Sequence, residues 1–270
     1  MIQLEGILLW LGVGGYVLSI LAYLVGLIFK KEKAAVWGFW FISFGFILHT
    51  VSIATRWIVT GHPPVIAGYE HSLFGSWFII LLFFTIRIWL PKIELFGIAI
   101  IPFALFVLGN GIMTASVHEP LSPPYQSNWL WVHITFAWFA YGSFSVAAAI
   151  AILYLLRVGI ISKFLERLPE PEILDDLIFR FIFFGFISLT IEVGAGAIWA
   201  KGLWGRYWGW DPVETWSLIS WLTYGINLHL RTTLGWQGSK AAWLTIISFV
   251  AIIITFFGIG FVVGIHTQLL

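Results

Sequence analysis

Six of the chain's 17 tryptophans lie between Trp199 and Trp221, and the centre of that stretch reads Trp204-Gly-Arg-Tyr-Trp208-Gly-Trp210-Asp211-Pro212-Val-Glu214-Thr-Trp216. Indole faces stack on planar ring systems, and glycine lets a backbone approach a ligand closely. Tryptophans spaced by glycines therefore fit a platform for a large flat ligand. The ordinary alternative is an interfacial aromatic belt, which explains Trp at helix ends. It does not explain four aromatics between positions 204 and 210 in a loop. Arg206 and Lys201 belong to the same segment, where they either pair with ligand carboxylates or carry outer-surface charge. Asp211-Pro212-Val-Glu214 has a local explanation. Asp is a preferred N-cap, Pro a preferred first helical residue, and Glu at the third position completes a capping box. Asp211 is thus expected to set where the loop leaves the helix, and no catalytic acid is assigned.

Tryptophan cannot ligate iron, so a platform for a metal macrocycle needs axial ligands from elsewhere. The chain has seven histidines and no cysteine. An ionisable residue inside a membrane span is costly, which favours a functional role for a histidine there. His133, one turn into one span, and His266, at the end of another, are both expected at the depth of the tryptophan loop. Two neutral imidazoles facing each other across a stacked macrocycle would form a bis-histidine haem site. His229 lies 18 residues beyond Asp211 on the same helix, roughly 27 Å away at 1.5 Å per residue. It cannot share a ligand with the outer pair and would need a second site. His49, near the middle of a span, reads more simply as a helix–helix hydrogen bond than as a spare ligand. His62, His71 and His118 fall in or near loops without assigned chemistry. Glu192, beside Gly194 and Gly196, is a further intramembrane charge, either protonated or paired.

The elements that must hold these residues follow from composition. Of 270 residues 60% are hydrophobic and 10% charged, against roughly 45–50% apolar and about 25% charged in a soluble domain. The bilayer must therefore solvate most of the chain. Only helices or closed barrels satisfy their backbone groups there, and the long, non-alternating apolar runs select helices. Taking about 20 residues per span, about eight are expected, near 6–29, 35–59, 71–90, 93–113, 129–156, 177–200, 211–231 and 241–267. The tryptophan loop is then about 201–211. The charged stretch 157–176 reads as a linker with solvated carboxylates. Eleven of the 14 basic residues fall on one side of this arrangement, and Arg56, Lys201 and Arg206 on the other. The positive-inside rule makes the first side cytoplasmic and puts both termini outside. The first apolar run is too long for a cleaved signal and reads as a retained helix. Residues 1–270 form a single polytopic membrane domain on this reading, with no soluble part.

The residues carrying the chemistry resemble a known pattern. Trp204-Gly-Arg-Tyr-Trp208-Gly-Trp210-Asp211 resembles the WWD signature of the haem-handling superfamily. The continuation through Pro212-Val-Glu214-Thr-Trp216 to Trp221 resembles the CcsA/ResC family of system II cytochrome c biogenesis proteins. Gly61-His62-Pro63-Pro64 with Tyr69-Glu70, Gln126-Ser127-Asn128-Trp129-Leu130 leading to His133, Leu228-His229-Leu230-Arg231 and Gly264-Ile265-His266 resemble further segments of that family, in order. The resemblance implies that haem b, as substrate, enters near His229. It passes to a loop site of Trp204, Trp208, Trp210, Asp211 and Arg206, where His133 and His266 hold its iron. The outer face then presents it for thioether attachment to the Cys-x-x-Cys-His motif of an apocytochrome c. The chain would be the core of a cytochrome c synthase in a bacterial cytoplasmic membrane or its equivalent. A CcsB/ResB-type membrane protein is the implied partner, and no nucleic acid is expected. A haem carrier of the CcmC type, without ligation activity, is the alternative. Such chains are expected to have about six helices and to lack the Pro-x-Glu-Thr-Trp continuation.

Overall fold

A computed structural model describes residues 1–65, 68–90, 94–113, 123–159, 165–166 and 168–258. Among them are eight α-helices and no strand, the all-helical class that the apolar runs predict. The helices are α1 (Ile2–Ile28), α2 (Glu32–Thr60), α3 (Gly68–Trp89), α4 (Glu94–Ile112), α5 (Asn128–Val158), α6 (Pro171–Trp204), α7 (Pro212–Leu234) and α8 (Ser239–Ile253). A π-helical turn, Ile254–Gly258, follows α8. Six helices are long and apolar enough to cross a membrane. The other two are shorter or more polar. Phe96–Ile112 of α4 is a shorter apolar helix, and α7 carries Glu214, Asn227, His229, Arg231 and six Ser/Thr residues.

The chain forms two compact units: Met1–Leu121 with Ile161–Leu168, and Ser122–Ile160 with Pro169–Leu270. In the first, α1 and α2 pack through glycine. A Cβ on Gly15 would lie 2.9 Å from the Cα of Gly45, so the two backbones meet where no side chain fits, a common device between membrane helices. Leu9, Ile53, Tyr69, Leu73 and Leu108 form an apolar cluster there. Tyr16 of α1 and His49 of α2 bond at 3.1 Å, oxygen to Nδ1, with His49 fully buried. This is the helix–helix bond expected for that histidine.

The second unit has a different interior. The buried residues of α7 are Ser217, Ser220, Asn227 and Tyr224, whose ring stacks on Phe144 at 3.6 Å. Ser220 Oγ meets Thr255 Oγ1 at 3.0 Å, and Asn227 donates to Ser248 Oγ at 3.4 Å. At the far end of α7, Arg231 donates to both carboxylate oxygens of Asp175, at 2.9 and 2.6 Å. The backbone N–H of Gly238 also donates to Asp175, at 3.0 Å. Asp175 was expected to be solvated in a linker, but it is only 7% exposed. The cause is the start of α6: Pro171 occupies the first turn, and the helix begins six residues before the expected 177. The same helix runs past 200 to Trp204, where Gly205 (φ +75°) ends it by donating to the Lys201 carbonyl. The loop therefore shortens from the expected 201–211 to 205–211, and Trp204 is a helix-end residue.

Candidate functional site

The connection from α6 to α7 is built as a small rigid arch. Asp211 caps α7, its Oδ1 accepting from the Val213 N–H at 2.9 Å. Glu214 completes the capping box by accepting from the Asp211 N–H at 3.2 Å. The same Glu214 oxygen accepts from the Gly209 N–H at 2.6 Å. One carboxylate therefore grips the backbone on both sides of Trp210. That residue sits at φ +58°, a left-handed conformation costing a non-glycine residue of order 1–3 kcal/mol. The double grip offsets that strain, and the sequence reading, which saw Glu214 only as part of a cap, missed it.

The basic residues separate here. Lys201 Nζ donates to the Gly205 carbonyl at 2.7 Å and lies 5.6 Å from the Tyr207 ring, so it closes the end of α6. Arg206 is exposed and has no acidic partner among the described residues. Its guanidinium lies against Gly209, where a Cβ would come within 2.7 Å of Nη2. Glycine at 209 thus makes room for Arg206, and not only for a ligand.

Below the arch lies a pocket lined by His133, Glu192, Val193, Gly196, Ala197, Trp199, Ala200, Tyr207, Trp208, Val213, Glu214 and Ser217. His133 enters it from α5, with a quarter of its side chain exposed. Its Nδ1 is 3.0 Å from the main-chain oxygen of Glu192 and 3.5 Å from Glu192 Oε1. A carbonyl oxygen can only accept, so Nδ1 donates here, and in the neutral form of the ring Nε2 would keep its lone pair. Metal-ligating histidines are commonly oriented in this way. Nε2 has no hydrogen-bond partner among the described residues, and buried Glu192 Oε2 has none either. The ring faces Trp199 at 6.4 Å and 21°, and Trp199 meets Trp204 edge-on at 5.5 Å.

Of the residues singled out by sequence, His133 and Trp208 line the pocket, and Trp204 joins it through Trp199. Trp210 is 70% exposed and packs edge-on against Trp208 at 5.8 Å. Asp211 is buried as the cap, and Arg206 stands outside on the arch. His229 is exposed on α7, its Nδ1 3.3 Å from Thr233 Oγ1. It lies 12 residues beyond the pocket's Ser217, about 18 Å along the helix. His266 lies outside the described residues. The pocket adds Glu192, Gly196, Trp199 and Tyr207 to the residues expected from sequence. The donor set, an oriented imidazole beside indole faces, is of the kind a planar metal macrocycle would use, while Arg206 stays outside the pocket. Among the described residues no group of three metal-ligating side chains gathers that would instead hold a bare ion.

Bundle and pocket define a multi-span α-helical membrane protein with one preset histidine under an aromatic arch. The family described as cytochrome C assembly protein matches residues 65–266. A cytochrome c biogenesis protein CcsA of Guillardia theta is 35% identical, covering 93% of this chain and 91% of that one. The CcsA of Trieres chinensis is 33% identical, covering 80% of each chain. The chain belongs to the CcsA family of cytochrome c biogenesis proteins, integral to the membrane. Among solved structures, cytochrome c heme lyase CcmF aligns over 99% of this chain with a TM-score of 0.73. Identity there is 17% and the chain spans half of that protein, so the likeness is one of fold.

Proposed function

We propose that this protein serves cytochrome c biogenesis by holding haem, as its substrate, under the tryptophan arch for transfer to an apocytochrome. The observation that carries this reading is the His133 imidazole, held through Nδ1 on the Glu192 carbonyl with Nε2 unpartnered among the described residues, in an aromatic-lined pocket. His133 is one axial ligand, and His266 is the other. Trp204, Trp208 and Trp210 provide ring faces, Asp211 holds the loop on its helix, and Arg206 pairs with a propionate. His229 belongs to a separate entry site near the other membrane face. The basic residues favour that face as cytoplasmic, with eight spans, both termini outside and residues 1–270 acting as one membrane domain.

At the arch, this chain's contribution is orientation. A macrocycle held with its vinyl edge exposed meets the two thiols of a Cys-x-x-Cys-His segment, gaining from proximity. Each thiol S–H adds across a vinyl group, forming one C–S and one C–H bond. The cysteine-free chain leaves both thiols to the client. A CcsB/ResB-type protein is the proposed membrane partner, and the resident substrate is haem b. The competing reading, a CcmC-type carrier, is disfavoured by the intact Pro212–Trp216 continuation.

The test is co-expression of the chain with a ResB-type protein and a cytochrome client. Covalent holocytochrome that disappears with His133→Ala, while the variant still inserts in the membrane, supports attachment. Haem-loaded protein that never yields thioether product favours the carrier.

A further inference from the structure

Resting on the reading of His133 as a haem ligand, we propose that α6 positions this histidine, with Gly196 as the determining residue and Glu192 and Trp199 as its flanks. His133 belongs to α5, but every contact that orients its ring comes from one face of α6. Residues 192, 196 and 199 lie about one turn apart, and such residues share a helix face. The Glu192 carbonyl fixes the tautomer at 3.0 Å. Trp199 lies nearly parallel to the ring at 6.4 Å and so blocks a swing towards the loop. Between them, Gly196 leaves the space the ring occupies. A Cβ there would stand 2.7 Å from His133 Nδ1 and 3.1 Å from Cε1.

The nearest atoms belong to a ring, not to the flexible end of a long side chain. An added methyl must therefore push the imidazole off α6 and lengthen its bond to the Glu192 carbonyl. The ring then loses both its tautomer control and its direction. Trp199 also touches Trp204 edge-on at 5.5 Å, so one helix face links the histidine to the aromatic arch. Gly194, two residues earlier, provides a control, because a Cβ there meets nothing within 4 Å.

The experiment compares full-length wild type, Gly196→Ala, Gly194→Ala, His133→Ala and the Gly196→Ala/His133→Ala double variant. Each is purified in detergent with its partner protein and read by haem absorption spectrum, haem affinity and thermal unfolding. Gly196→Ala is expected to weaken haem binding about 10–100-fold, the usual effect of losing an orienting partner. The unfolding temperature stays near wild type, and Gly194→Ala matches wild type throughout. In the His133→Ala background the same methyl should add nothing further, since it acts through that ring. A Gly196→Ala protein with wild-type spectrum and affinity, or a full additional loss in the double variant, overturns the inference. A wild-type spectrum in His133→Ala would instead overturn the haem-ligand reading on which it rests. If Gly196→Ala does not insert, Trp199→Leu is used. It keeps apolar bulk but removes the stacked ring, and is expected to shift the haem reduction potential. An unchanged potential and affinity in Trp199→Leu then count against the proposal.

Discussion

Arg56 and His133 each meet a buried glutamate inside a helical unit, but their clusters are built differently. Arg56, fully buried in the first unit, donates to Glu70 at 2.7 Å and to Glu5 at 3.2 Å. Its guanidinium also stacks on Tyr69 at 4.7 Å, and the Tyr69 hydroxyl donates to Glu5 at 3.2 Å. The result joins α1, α2 and α3 through charge-assisted bonds. The His133–Glu192 pair of the second unit leaves a ring nitrogen and a carboxylate oxygen without a partner among the described residues, beside a pocket. Burying a charge is worthwhile only when its partners are complete, and an incomplete polar site in a membrane marks function. The first cluster is built as a structural latch, and the second is the one proposed to bind a ligand.

Predictions that break or sharpen this contrast run from large to small effects on stability. Arg56→Met leaves two buried carboxylates without their counterion, and should cost about 3–5 kcal/mol. Thermal unfolding in detergent reads this directly, and an unchanged melting temperature would remove the latch. Asp175→Asn breaks the two-oxygen grip on Arg231 in the second unit. A loss of about 1.5–3 kcal/mol is expected, the range for hydrogen bonds to charged groups. If it matches Arg56→Met, the two units hold their charges alike and the contrast fails there. Glu214→Ala frees both N–H groups flanking Trp210 and should cost about 1 kcal/mol, as other cap losses do. It should also lower haem retention, because the arch is no longer held; equilibrium haem titration checks that part. His133→Ala removes the hydrogen bond to the Glu192 carbonyl and should cost about 0.5–1.5 kcal/mol, well below Arg56→Met. A melting temperature that falls as far as in Arg56→Met would make His133 part of the scaffold.

What the sequence revealed and what it hid follow from the range of each interaction. The Asp211–Glu214 capping box was legible because its rule covers four consecutive residues. The all-helical class was legible because a membrane span demands a continuous apolar run. The His133–Glu192 contact bridges 59 positions and depends on the rotational register of α5 against α6, which no local pattern encodes. Arg56 was only counted among the basic residues of the outer side, since such a count cannot show that Glu5 and Glu70 converge on it. A usable signal existed: three ionisable residues near the ends of three apolar runs. Asp175 was misread because the charges around 157–176 outweighed Pro171, a sound helix-start residue. The Trp204–Trp210 segment was identified, but Gly209 proved to accommodate Arg206, a packing detail invisible in composition.

The central claim is that the open cluster binds haem iron. Its most direct test is the absorption spectrum of the detergent-purified chain, with and without a ResB-type partner, for wild type, His133→Ala and His266→Ala. The account predicts a Soret band with sharp reduced α and β bands in the wild type, weakened in both variants. Full wild-type bands in both variants would contradict it, as would a wild-type chain that carries no haem under either condition.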